Sequence, residues 1–103
     1  MASRLELHEK LRALLGTNNV YFQPPESMKL EYPCIVYSKN NVLGRYANNK
    51  SNYFAFDRYE LIYIYKNPDD DFKKELIGAF DYCRLDRHYI SDNLYHDALT
   101  LYC

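Results

Sequence analysis

The chain is predicted to be an α+β protein: a small, mainly antiparallel sheet with two helices packed on one face and a long inter-strand loop. Three observations predict it. Two segments space their apolar residues at helical intervals, and Phe54 to Tyr65 alternates with the period of a strand. The C-terminal segment, Tyr82 to Tyr102, reads as two strands about a short polar turn. At 103 residues, the whole of 1–103 is expected to form one domain around one core.

The first helix spans residues 4–15. Ser3 and Glu6 have the spacing of a capping box, in which each side chain satisfies a free N–H of the first turn. Leu7, Leu11, Leu14 and Leu15 make the apolar stripe, and Gly16 ends the helix in a left-handed cap. A short strand is expected at Asn19 to Gln23. It leads into "YFQPPESMKLEYPCIVYS", which holds three of the four prolines. Pro24 and Pro25 bar further pairing, and Pro33 is tolerated only at a strand's start or on an edge. This stretch is therefore a connector between strands, with Cys34 to Lys39 entering the sheet.

Residues 40–53, rich in asparagine, read as the long loop, because asparagine competes for backbone hydrogen bonds. Phe54 to Tyr65 follows as the strongest strand. Tyr59, Leu61, Tyr63 and Tyr65 share one face, and Arg58, Glu60, Ile62 and Ile64 the other. Both faces become apolar toward its C-terminal end, which places that end centrally. The second helix is expected to start at "NPDDD", with Asn67 as cap, Pro68 at the first position and Asp69 to Asp71 complementing the dipole. Phe72, Leu76, Ile77 and Phe80 form its buried stripe.

For the hairpin, a three-residue loop Ser91-Asp92-Asn93 pairs Tyr89 with Tyr95, Arg87 with Asp97, Leu85 with Leu99 and Cys83 with Leu101. A two-residue loop would instead set Asp86 against Leu99 and Arg84 against Leu101, so the first register, which matches like with like, is preferred. That register puts His88 opposite His96, beside Arg84, Asp86 and Thr100. Two histidines fall short of the three or four ligands of a metal site, and their mutual repulsion on protonation is the expected consequence.

Composition narrows the function. A net charge of −1 provides no broad positive field for a phosphate backbone. Twelve tyrosines and no tryptophan suit strand faces and protein contacts. Residues 1–51 carry seven Lys/Arg against four Asp/Glu, and residues 52–103 six against ten, an asymmetry that could pair subunits. Cys34, Cys83 and Cys103 have neither zinc-site nor disulfide-framework spacing. Neither a signal-like apolar start nor a membrane-length run is present, so assembly in a cytoplasm is expected. Glycine-rich phosphate loops and hydrolase or metalloprotease signatures are missing as well. The expectation is a protein that is not an enzyme and uses neither cofactor nor metal.

"VYFQPPESMKLEYPCIVYSKNN", "DRYELIYIYKNPD" and "RHYISDNLYHDALTLYC" together resemble the tail completion or tail terminator proteins of long-tailed bacteriophages. The order of elements covers nearly the whole chain, and the matching motifs are scaffold residues. The resemblance implies a structural virion protein of the head–tail joining region. Such a subunit closes into a homo-oligomeric, hexameric ring, caps the tail tube and joins it to the head connector. Its implied partners are copies of itself, the tail tube protein and a head-completion protein, with DNA passing through the lumen without specific binding. Head-closure and minor tail or neck proteins of the same gene clusters are the alternative, and a small monomeric adaptor or nucleic-acid-binding module is a second. Arg45, Tyr46, Asn48, Asn49 and Lys50, in the long loop, are the candidate subunit or partner contacts, since a loop of that length in a compact domain usually carries function.

Overall fold

A computed structural model describes residues 4–40 and 57–103. It is an α+β fold with the order α1 (Arg4–Leu15), β1 (Val20–Phe22), β2 (Cys34–Asn40), β3 (Arg58–Tyr65), α2 (Phe72–Ala79), β4 (Tyr82–Ser91) and β5 (Leu94–Tyr102). The strands form one sheet in the order β1-β2-β3-β5-β4. β1 runs parallel to β2, and the other three pairings are antiparallel.

α1 has the expected bounds. Gly16 closes it at φ +83°, and its N–H donates to the Arg12 carbonyl at 2.8 Å. Ser3 lies outside the described residues. After β1, Gln23 adopts φ +45° and turns the chain away, while its amide still donates to Tyr37. Its side-chain oxygen accepts from the Lys39 amide at 3.3 Å, continuing the ladder one step past the backbone. The proline-rich connector then returns the chain to β2, which begins at Cys34, immediately after Pro33.

The second helix starts later than the sequence suggests. Asn67 to Asp70 form a separate turn, closed by the Asp70 amide on the Asn67 carbonyl at 3.0 Å, with Pro68 at its second position. Asn67 Oδ1 accepts from the Asp69 amide, so it caps this turn rather than the helix. Asp70 Oδ1 accepts from the Phe72 amide at 2.9 Å and thereby serves the helix start. Asp71 occupies the cap position without a side-chain hydrogen bond.

The terminal hairpin also differs. Its loop has two residues, Asp92 and Asn93, both with positive φ (+52° and +64°), the conformation of a type I′ turn. Near the base, Leu85 pairs with Leu99 and Cys83 with Leu101, as expected. Nearer the tip the partners are Arg87–Ala98, His88–Asp97 and Tyr89–His96. A β-bulge between Leu85 and Arg87 absorbs the one-residue offset between the two halves. His88 and His96 therefore lie on opposite faces of the sheet, which removes the expected cross-strand histidine pair.

The core lies between one sheet face and the helices. Ile35, Tyr37, Tyr59, Leu61, Tyr63, Tyr65, Leu99 and Leu101 share a buried cluster with Leu7 and Leu11 of α1 and Leu76 of α2. β3 is the middle strand, and Tyr63, Ile64 and Tyr65 are all buried at its C-terminal end. Each full leucine burial contributes roughly 1.5–3 kcal/mol against the entropy of ordering the chain. Two of these tyrosines carry their hydroxyls to polar partners at the rim: Tyr37 meets His8 Nδ1 at 2.7 Å, and Tyr63 donates to Asp70 at 2.7 Å. Burial raises the Tyr37 and Tyr63 hydroxyl pKa values above the ordinary phenol range, keeping both as donors.

Candidate functional site

β4 forms one edge of the sheet, and among the described residues only β5 pairs with it. Its ten residues are almost all exposed. The strand has this exposure because nothing in the described fold follows it on that side. Its side chains keep separate characters on the two faces. Leu85 and Ile90 lie on the face shared with the helices, 37% and 64% exposed. Arg84, Arg87 and Tyr89 lie on the opposite face, across from Thr100, Ala98 and His96.

The bulge sets this arrangement. With it, residues after Leu85 alternate out of phase with those before it; in a regular strand every side chain of the tip half would lie on the other face. Asp86, at the bulge, turns its carboxylate toward β5: it accepts from the Thr100 hydroxyl and from Arg84 Nε at 3.0 Å. Burial opposes ionisation of this carboxyl, but these hydrogen bonds and the charges of Arg84 and Arg58 hold its pKa below the usual value. Arg87 lies over the Tyr89 ring at 4.8 Å, and Tyr89 stacks on His96 at 4.7 Å. Small Ala98 leaves a shallow cleft of about 180 Å³ beside this stack, lined also by Glu60, Ile62 and Asp86.

On the helix-side face, Asp97 is wholly buried yet charged in type. His88 Nδ1 lies 2.6 Å from Asp97 Oδ1, and Lys73 Nζ of α2 lies 3.9 Å from Oδ2. Among the described residues, Asp97 Oδ2 has no hydrogen-bond partner. The Tyr65 hydroxyl lies 3.5 Å from His88 Nδ1, and burial followed by the neighbouring Asp97 carboxylate raises its pKa. Tyr65 and His88 each stack with Tyr95, at 5.5 and 5.9 Å. The arrangement fixes the imidazole at the surface and ties β3, β4, β5 and α2 together at one point.

Sequence reasoning missed Asp97, because a three-residue loop sets it opposite Arg87. The signal was present as a mismatch: Asp92-Asn93 suits a two-residue turn, while the leucine pairs require the other count. Arg45, Tyr46, Asn48, Asn49 and Lys50 lie outside the described residues. Among the described residues, no group of three His, Cys, Asp or Glu side chains is placed to hold a metal ion, and no helix is long and apolar enough to cross a membrane. No family model matches the chain, and neither a curated protein nor a solved structure does.

Proposed function

We propose that the chain is a structural subunit of bacteriophage morphogenesis, a tail terminator or tail completion protein. In this reading it closes into a hexameric ring, caps the tail tube and joins it to the head connector within the virion. The observation that carries the proposal is the outward-turned β4, a ten-residue edge strand with exposed aliphatic and arginine side chains. Such an edge is a template for another chain; the bulge and the charged residues of β4 restrict pairing there and leave Arg87 to Ser91 as its regular stretch. The opposite edge, β1, has only three residues. Unlike edges on the two sides suit head-to-tail contacts, which close rings when the rotation permits.

Native mass spectrometry of the purified chain, alone and with tail tube protein, tests the reading. A hexamer, or a ring formed on the tube protein, is expected. A monomer that persists at high concentration and ignores the tube protein would overturn it. Association with a connector protein alone would move the subunit to head closure. Deletion of residues 44–50 addresses the loop: a folded monomer that has lost ring or tube association is expected, and unchanged assembly by ultracentrifugation removes the loop from the contact.

A further inference from the structure

We infer that the outer edge of β4 accepts a sixth strand from a partner whose sequence alternates acidic and aliphatic residues. This deepens the assembly reading, and rests on it only in taking the occupant to be a protein chain.

The chemistry of the occupant follows from the two faces of β4. A strand added in register continues both faces of the sheet, so its side chains alternate between two environments. On one face it would meet Arg84 and Arg87, both exposed. The only carboxylate of β4, Asp86, is exposed and accepts from Thr100 and Arg84. Arg84 is paired with that carboxylate, so the guanidinium this face offers a newcomer is chiefly that of Arg87, and a carboxylate answers it with paired, charge-assisted hydrogen bonds. On the other face the newcomer would meet Leu85 and Ile90, the latter 64% exposed, and aliphatic side chains would cover them. The edge backbone supplies affinity without sequence preference, and the two rows of side chains supply the choice.

The bulge limits where pairing can run. It kinks the strand between Leu85 and Arg87, leaving Arg87 to Ser91 as the longer uninterrupted segment. His88, held by Asp97, and the Arg87–Tyr89–His96 stack keep that segment's side chains in place before anything binds. Such preorganisation lowers the entropy lost on association. A lysine-bearing strand would place like charges beside Arg84 and Arg87 and be rejected.

The test uses the full chain and end-blocked peptides that alternate Glu with Val, or Lys with Val. Amide hydrogen exchange and NMR titration are expected to show the Glu peptide protecting β4 amides, chiefly in Arg87 to Ser91. The Lys peptide is expected to bind at least about tenfold more weakly. In Arg84→Glu/Arg87→Glu the preference should reverse; if that variant fails to fold, Arg87→Glu alone carries the same comparison. Three results would overturn the inference: no binding of the Glu peptide, binding that protects residues away from β4, or a preference unmoved by charge reversal. Concentration-dependent protection of β4 without peptide would assign the edge to a second copy instead. Peptide binding by a chain that forms no ring would leave this inference standing while the ring assignment falls.

Discussion

His88 Nδ1 lies 2.6 Å from a carboxylate oxygen of Asp97, so an exposed residue of the edge strand anchors on a side chain with no solvent contact. The pair is expected to be worth more than its surface position suggests. Asp97→Ala should cost about 2–4 kcal/mol, because it removes the buried acceptor of His88 and the anion beside Lys73. His88→Ala should cost about 1–3 kcal/mol by leaving the buried carboxylate with Lys73 at 3.9 Å. In a urea-denaturation double-mutant cycle the two should couple by roughly 0.5–3 kcal/mol. Strict additivity would show that the contact adds no stability.

The three consecutive aspartates before α2 should not be equivalent. Asp70 accepts from Tyr63 through one oxygen and from the Phe72 amide through the other. Asp70→Ala should therefore destabilise by about 1–3 kcal/mol. Asp69→Ala and Asp71→Ala change exposed side chains, and each should stay within about 0.5 kcal/mol. Equal effects at all three positions would mean that a general dipole effect, not the Asp70 geometry, sets the helix start.

Acid should weaken the fold in two separate windows. Burial and the charges of Arg4 and Arg12 lower the His8 pKa below 6.5 in the folded state, although Glu9 opposes them. The unfolded chain then binds the proton first, so stability is fully present above the unfolded value and declines as pH falls through the folded one. Asp86, with a folded pKa below 3.8, contributes stability above that value and loses it at still lower pH. Urea midpoints across pH should show both declines, with His8→Gln flattening the upper one and Asp86→Asn the lower. A profile unchanged near pH 6.5 in His8→Gln would refute the upper assignment.

Cys34 should be silent to thiol reagents in the native protein. It has no solvent contact, and burial pushes its thiol up to about 11, so little thiolate exists at neutral pH. Labelling at Cys34 should track global unfolding in urea, which mass mapping of the modified residue can follow. Rapid native-state labelling there would mean that β2 opens locally.

Most of the fold was legible because its elements are set by short-range patterns. α1 ended where Gly16 predicts, since a left-handed cap is a local backbone requirement. β3 showed its two faces in the alternation of Tyr59, Leu61, Tyr63 and Tyr65 with Arg58, Glu60 and Ile62, and its apolar end marked the middle of the sheet. The start of α2 was misplaced because Asn-Pro serves a turn as well as a helix cap, and the choice fell to Asp70, whose other oxygen is held by Tyr63.

By itself, then, the sequence determined the α+β class, the two helical stripes, the strands, and the leucine pairs at the base of the hairpin. These depend on periodicity, capping and turn chemistry, which act within a few residues. Only the tertiary structure decided the bulge at Asp86, the burial of Asp97 and the separation of His88 from His96. The physical reason lies in the hairpin itself. A type I′ turn sets the register from one end, and core packing of Leu99 and Leu101, with Cys83 against them, sets it from the other. The two disagree by one residue, and the fold satisfies both by bulging the strand where its edge is open.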